Sequence, residues 1–195
     1  MQLVWEYQDV LSIAFVSHPF TEAKIPLNTR RKFLSTLQLR RGYYLNNQRS
    51  TERGEHQMVN ILLVTHGEFA QGITSALTLI MGEAKGYATV SLNIGQSPDA
   101  FLDELSKKVH SLYEDSEGSG VLVLTDLFGG TPCNCIARIM NEMGTKKIRC
   151  VTGLNLPMLI EVVSDRDEQD LPHLEETALA AGGKGMVSLA QKIFG

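Results

Sequence analysis

Two short stretches of the sequence combine reactive side chains with turn-forming glycines. In the first, His66 and Gly67 end the apolar run Ile61–Val64. In the second, Asp126 closes another apolar run, and Gly-Gly-Thr-Pro follows at positions 129–132. A carboxylate that accepts the proton of one imidazole nitrogen fixes the tautomer and leaves the other nitrogen as a nucleophile. His66 and Asp126 are therefore candidates for nucleophilic chemistry, provided that the fold brings them together.

The glycine-rich stretch predicts a binding site for an anion. Gly129 and Gly130 favour a tight turn, because glycine tolerates backbone conformations that other residues avoid. Thr131 is expected to be the N-cap of the following helix, with Pro132 as its first residue. The backbone N–H groups at such a helix start, the Thr131 hydroxyl and the helix dipole would all face a phosphate, as would the helix start after Gly67.

Each of these features also has a structural interpretation. A histidine at a strand end is most often a satisfied polar residue, and an aspartate before a glycine turn often bonds nearby backbone. Gly-Gly-Thr-Pro commonly starts a helix without binding anything. Taken residue by residue, the sequence leaves both interpretations open. Their coincidence at two strand ends favours phosphoryl chemistry, which needs chiefly positioning and charge stabilisation.

The apolar pattern alternates between strands and helices from Met58 onward. It predicts strands over Val59–Thr65, Ala88–Ile94, Gly120–Thr125 and Ile148–Thr152. It predicts helices over about Gln71–Met81, Pro98–Tyr113, Thr131–Met143, Leu156–Val163 and Glu175–Ala181, with Gly182-Gly183 breaking the last one. The segment Met186–Phe194 fits either a helix or a strand.

This alternation predicts an α/β fold with a doubly wound, mainly parallel four-stranded sheet. In a flavodoxin-like strand order the first and third strands are neighbours and flank the switch point where ligands bind. His66 and Asp126 follow these two strands, so we expect them to lie at one crevice, close enough for contact.

Composition narrows the class of protein. The chain has 195 residues, 43% hydrophobic and 21% charged, and a net charge of -4, which argues against a nucleic-acid partner. The three cysteines lack a disulfide-scaffold pattern and indicate a reduced, cytosolic protein with packing thiols. No apolar run is long enough for a membrane span. We expect no metal and no cofactor.

Residues 1–57 differ from the rest of the chain. They carry 8 Lys/Arg against 5 Asp/Glu, whereas residues 58–195 carry 10 against 17. We expect this extension to have little fixed structure. One hypothesis is that translation begins at Met58, because Arg53-Gly54-Glu55 is what an in-frame ribosome-binding sequence would encode. The alternative is a basic tail that docks a partner.

Three segments of residues 58–195 resemble the IIA component of the mannose/fructose/sorbose family of the bacterial phosphoenolpyruvate:sugar phosphotransferase system (PTS). They are Val-Thr-His-Gly at positions 64–67, Leu-Thr-Asp-Leu-Phe-Gly-Gly-Thr-Pro at 124–132, and Gly-Leu-Asn-Leu-Pro-Met-Leu at 153–159. The segments occur in the family's order and spacing. Phe128 stands where the family often has tryptophan, and residues 1–57 have no counterpart.

The resemblance implies a cytoplasmic phosphocarrier. His66 would accept a phosphoryl group from phospho-HPr and pass it to a IIB component, which is linked to a IIC/IID membrane transporter. Asp126 would orient His66, while phosphate would be bound by Gly67, Gly129, Gly130 and Thr131. The resemblance also implies a homodimer that exchanges a C-terminal antiparallel edge strand, with Met186–Leu189 in that role. The transported sugar cannot be inferred from this chain.

Three alternatives follow from the same pattern. The phosphotransfer subunit of dihydroxyacetone kinase shares the fold, but a different loop replaces Gly-Gly-Thr-Pro there. A flavodoxin-like binding or regulatory module would want a hydroxyl-rich loop after the first strand, where this chain has His-Gly-Glu-Phe-Ala. A histidine phosphatase would need arginines around the phosphate. The sequence places none near His66 or Asp126.

Overall fold

The computed structural model describes residues 58–83 and 86–194. The described strands are β1 (Asn60–His66), β2 (Tyr87–Leu92), β3 (Val121–Thr125) and β4 (Ile148–Thr152). The described helices are α1 (Phe69–Met81), α2 (Pro98–Asp115), α3 (Thr131–Met143), α4 (Leu156–Asp165), α5 (Leu171–Lys184) and α6 (Leu189–Phe194). The predictions for residues 1–57, namely little fixed structure and a start of translation at Met58, concern a segment outside the described residues.

The four strands form one parallel sheet in the order β2-β1-β3-β4. The predicted four-stranded α/β fold with β1 and β3 as neighbours is therefore confirmed. In the register between these strands, Val64 lies opposite Thr125. Because parallel strands end at the same edge of the sheet, the residues that follow Val64 and Thr125 meet at that edge.

Helices cover both faces of the sheet, and alternate residues of β1 and β3 point to opposite faces. On one face Ile61 and Leu63 pack with α1, α4 and α5. On the other face Leu62 and Val64 pack with α2 and α3. All four side chains are fully buried, which explains why β1 is a continuous apolar run. This double layer holds the end of β1 in a fixed place.

Helix ends follow capping chemistry. Ser97 precedes α2, and its hydroxyl accepts a hydrogen bond from the Ala100 amide at 3.2 Å, as the sequence predicts for a cap followed by Pro98. Asn155 caps α4 in the same way through the Met158 amide at 3.0 Å. Both helices have a proline in the first turn, where its missing N–H costs nothing.

The predicted helix break at Gly182-Gly183 is wrong. Helix α5 continues through both glycines to Lys184. A Cβ on Gly182 would lie 2.7 Å from Met158 Cε, so this glycine permits close packing of α5 on α4. The contact offsets the conformational cost of glycine inside a helix.

The last part of the chain includes a short helix. Leu189–Phe194 is α6, which has no buried residue, whereas residues 186–188 belong to no element. An exchanged C-terminal strand is therefore not seen in this single chain. No helix in the ranges 58–83 and 86–194 is both long and apolar enough to cross a bilayer.

Candidate active site

His66 is the last residue of β1 and the first one of that strand to reach solvent. The six residues before it are buried, while 43% of the His66 side-chain surface is exposed. The strand lies between β2 and β3, so the histidine is held at the middle of the sheet edge. An exposed imidazole on a buried strand is well placed to react with a group on another molecule.

Asp126 contacts His66 as expected from the strand order. Its Oδ2 accepts a hydrogen bond from the ring Nδ1 of His66 at 2.9 Å. The same oxygen accepts a second bond from the backbone N–H of His66 at 2.8 Å. The carboxylate is thus fixed by the backbone of the residue whose ring it orients.

The protonation state of this pair follows from its surroundings. Burial alone would raise the pKa of Asp126, but the hydrogen bonds from the backbone and ring of His66, electrostatic attraction by that ring and the Leu127 amide hold the pKa below its ordinary value. An ionised carboxylate only accepts hydrogen bonds, so Nδ1 of His66 must carry a proton. In the neutral form of the ring, the lone pair is then on Nε2.

The turn after His66 is built from backbone bonds. Gly67 has φ +53°, and its N–H donates to Leu92 O at 2.9 Å. The buried hydroxyl of Thr65 accepts a bond from the Ala70 amide at 3.0 Å, which fixes the start of α1 at Phe69, two residues before the predicted position. Because its amide is engaged with Leu92, Gly67 shapes the turn rather than offering an N–H to an anion.

Gly130 lies directly against the imidazole. A Cβ built on Gly130 would come within 2.8 Å of His66 Cε1 and 3.5 Å of Nε2. Its φ of -67° is open to any residue, so the requirement for glycine here is one of space. Gly129 differs, because its φ of +76° favours glycine for conformational reasons.

The predicted N-cap at Thr131 is off by one residue. Gly130 is the N-cap of α3, with φ -67° and ψ 164°, and Thr131 is the first helical residue. Proline is tolerated throughout the first turn, so Gly-Thr-Pro does not define which residue is the cap. One consequence is that the Thr131 hydroxyl makes no hydrogen bond within the part of the chain that the structure describes.

Helix α3 begins beside the histidine with unused donors. Among the described residues the backbone N–H groups of Gly129, Thr131 and Cys133 have no acceptor. The first helical bond is donated by the Asn134 amide to Gly130 O at 2.9 Å. Free N–H groups and the positive end of the helix dipole favour an anion at this point.

Asn134 belongs to the site but was not predicted from the sequence. The side-chain amide of Asn134 donates to Gly129 O at 3.0 Å, so it ties the glycine turn to the helix. Its position in the first turn after a glycine pair is the only signal that the sequence offers. Such a signal is weak, because asparagine is common near helix starts.

Exposed apolar side chains follow both site residues along the chain. Phe69 lies three residues after His66, and Leu127 and Phe128 follow Asp126; all three are exposed.

No cluster of three or more His, Cys, Asp or Glu that could hold a metal occurs in residues 58–83 and 86–194. The site thus offers a nucleophile, a carboxylate and anion-binding donors.

The profile of a family described as "PTS system fructose IIA component" matches residues 60–179, which include both strand ends of the site. The chain belongs to this family.

Named relatives agree with this assignment. This chain is 28% identical over 135 residues to the sorbose-specific EIIA component of Lacticaseibacillus casei. The match covers 69% of this chain and 94% of the relative. The chain is 31% identical over 118 residues to the fructose-specific EIIA component of Bacillus subtilis, covering 60% and 77%. The crystal structure of a phosphotransferase system component EIIA from Streptococcus agalactiae superimposes with a TM-score of 0.62 at 32% identity, covering 69% and 99%.

Membership in the family indicates the general function of the protein. As a PTS IIA component of the mannose family, the protein takes part in sugar phosphotransfer. The relatives' names include sorbose and fructose, so membership in the family does not select one sugar. The residues that carry out the transfer are inferred from the geometry.

Proposed function

We propose that His66 is the phosphorylated residue of this IIA component: it accepts a phosphoryl group from phospho-HPr and passes it to a IIB component. The observation that carries the proposal is the bond from His66 Nδ1 to Asp126 at 2.9 Å, which in the neutral ring leaves the lone pair on Nε2 of a side chain that is 43% exposed. A nucleophile needs both the lone pair and the access.

The transfer step balances on these atoms. The lone pair of His66 Nε2 attacks the phosphorus of the donor phosphohistidine as the donor N–P bond breaks, and the donor ring keeps that electron pair. The proton on Nδ1 stays in its bond to Asp126, so the phosphorylated ring is cationic. The ionised carboxylate stabilises this charge. Transfer to IIB repeats the exchange in the other direction.

The start of α3 supports the anionic side of the reaction. Among the described residues, the Thr131 hydroxyl and the amides of Gly129, Thr131 and Cys133 have no hydrogen-bond partner, so they can bind an anion. Phosphoryl transfer needs donors that are already oriented, since reorganising them would cost energy in the transition state. Gly130 allows this set of donors to approach the ring.

The proposal also covers the proteins that this chain would contact. The exposed side chains of Phe69, Leu127 and Phe128 give a protein donor or acceptor apolar surface to contact. We assign residues 58–195 to the IIA domain, place the protein in the cytoplasm, and expect IIB to be linked to a IIC/IID transporter. A homodimer that exchanges Met186–Leu189 stays a prediction, which sedimentation of the purified chain would test.

The direct test is phosphorylation of the full chain with phosphoenolpyruvate, enzyme I and HPr. We expect acid-labile, base-stable label on the wild type and none on His66→Ala. His110→Ala is the matched control, because His110 is an exposed histidine on α2, and it should be labelled like the wild type. Chase with a IIB component should remove the label.

Three results would contradict the proposal. Label retained by His66→Ala would move the phosphorylated residue elsewhere. An unlabelled wild type would leave the family and fold in place and remove the phosphocarrier role. Release of free phosphate without a stable phosphoprotein would indicate a hydrolase instead.

A further inference from the structure

The glycine turn beside His66 is held by one side chain that the phosphoryl group need not touch. Asn134 binds both glycines: its backbone N–H donates to Gly130 O at 2.9 Å, and its side-chain amide donates to Gly129 O at 3.0 Å. A third bond closes the turn from Gly130 N to Leu127 O at 3.2 Å. The carbonyl groups of the glycine pair are therefore both engaged on the side of α3.

The direction of these carbonyls matters for an anion. A carbonyl oxygen facing a phosphoryl group would repel it, whereas an N–H attracts it. With both glycine carbonyls bound to Asn134, the amides of Gly129, Thr131 and Cys133 remain as donors without an acceptor among the described residues. The side chain of Asn134 thus fixes the orientation of the Gly129 carbonyl, while the backbone N–H of Asn134 fixes that of the Gly130 carbonyl.

The hydrogen bond from the Asn134 side chain to Gly129 O also affects the position of the histidine ring. Gly130 is so close to His66 Cε1 that a Cβ would lie 2.8 Å from it, so the turn forms one wall of the space in which the imidazole lies. Gly129 has φ +76°, a conformation that glycine reaches but does not hold by itself. Without a tie to Gly129, the wall would be free to move relative to the ring.

We propose that Asn134 is a positioning residue for phosphoryl transfer, which holds the Gly129-Gly130 turn against His66 with its carbonyls turned away from the phosphate. This inference rests on the proposed role of His66. Asn134 acts through the turn, since its hydrogen bonds among the described residues go to Gly129 and Gly130 and none goes to the ring. Its loss should lower the rate of the chemical step more than the affinity for the donor, because the donor's docking surface is unchanged.

The experiment compares Asn134→Ala and Asn134→Asp with Asn141→Ala. Asp has the shape of Asn but at neutral pH cannot donate to Gly129 O. Asn141 lies on the same helix, is also exposed and forms no hydrogen bond through its side chain among the described residues, so it is a matched control. The rate of labelling is measured against the concentration of phospho-HPr, with thermal unfolding to confirm that each variant folds.

We expect kcat to fall about tenfold in both Asn134 variants while KM for phospho-HPr stays within about twofold, with Asn141→Ala unchanged. Labelling of either Asn134 variant at the wild-type kcat would overturn the inference. A rise in KM at constant kcat would also overturn it, because that result would place Asn134 in donor docking.

A second readout separates this inference from the proposed function. In NMR spectra of the unphosphorylated protein, Asn134→Ala and Asn134→Asp should shift the amide signals of Gly129 and Gly130 and the ring signals of His66, whereas Asn141→Ala should not. Unmoved signals would show that Asn134 does not hold the turn. An unlabelled wild type together with shifted signals would refute the phosphocarrier role alone and leave the tie between Asn134 and the turn established.

Discussion

One carboxylate oxygen, Oδ2 of Asp126, accepts hydrogen bonds from both the ring and the backbone of His66, at 2.9 Å and 2.8 Å. The backbone bond fixes the carboxylate relative to β1, and the ring bond then fixes the imidazole relative to the carboxylate. The orientation of the imidazole is thus set by the strand that carries it. A side chain anchored only by the ring bond would have more freedom to rotate.

Replacing Asp126 should damage transfer far more than folding. Asp126→Asn keeps the shape but removes the charge that stabilises a cationic phosphorylated ring, and its amide can favour the wrong tautomer. We expect labelling from phospho-HPr to slow by about 10²- to 10⁴-fold. Asp103→Asn, at an exposed position on α2, is the control and should label normally. A wild-type rate in Asp126→Asn would contradict the role of the carboxylate.

The hydrogen bonds to Asp126 should also appear in the acid stability of the protein. Its pKa is lower in the folded state than its ordinary value of 3.8, so its contribution to the free energy of unfolding is fully present above pH 3.8. That contribution is lost as the pH falls through the folded-state pKa. Urea unfolding at several pH values should show a difference between wild type and Asp126→Asn that is constant above about pH 5 and shrinks below pH 3.8.

A constant difference down to the most acidic condition would mean that the Asp126 pKa is not lowered by folding. The Asp103→Asn protein serves as the reference, because its carboxyl lies on the outer face of α2.

Gly130 and Gly72 should respond in opposite ways to the same substitution. Gly130→Ala would place a Cβ 2.8 Å from His66 Cε1 and 3.3 Å from Leu127 O, so the ring or the turn must move and labelling should slow by at least tenfold, as about 1 Å of misplacement can cost. Gly72→Ala lies inside α1, with nothing within 4 Å of the new Cβ. It should raise the free energy of unfolding by about 0.5–1 kcal/mol and leave labelling unchanged.

The comparison uses rates of labelling and chemical unfolding of both variants. Normal labelling by Gly130→Ala would show that the turn is not in contact with the ring in solution.

Cys150 should be unreactive while the protein is folded. Burial raises the pKa of its thiol to about 12, and the nearby Cys133 adds to the effect. At pH 8 only about one thiol in 10⁴ is then ionised, and the thiolate is the reactive form. In a Cys133→Ser, Cys135→Ser background, a maleimide should label Cys150 slowly in the native protein and rapidly after denaturant is added. Rapid labelling of the native protein would show that the pKa of the thiol is not raised, because Cys150 is already partly exposed.

The parts of the site that could be predicted from the sequence depend on strands. Continuous apolar runs identify β1 and β3, and the order of a doubly wound sheet makes them neighbours, so the contact between His66 and Asp126 follows. The parts that could not be predicted depend on the distance between loops. Neither the space that Gly130 leaves for the ring nor the bond from Asn134 to Gly129 has a periodic signal in the sequence.

The errors at helix ends have a common physical origin. Gly182 looks like a helix breaker because glycine lowers helix propensity, yet its contact with Met158 is a tertiary interaction that outweighs propensity. Gly67 looks like a phosphate-binding glycine, yet its amide extends the pairing of β1 with β2 through Leu92 O. Local chemistry allowed both interpretations, and only the packed neighbour decides between them.

The position of Asp126, sixty residues after His66, has a consequence for how the protein is made. Strand β2, its crossover through α2 and strand β3 must all be synthesised before the histidine meets its carboxylate. During translation the histidine is therefore made before the carboxylate that fixes its tautomer. A nascent or truncated chain that ends before residue 126 would carry the histidine without this partner. The ring orientation that the proposed transfer uses thus depends on the pairing of the two central strands.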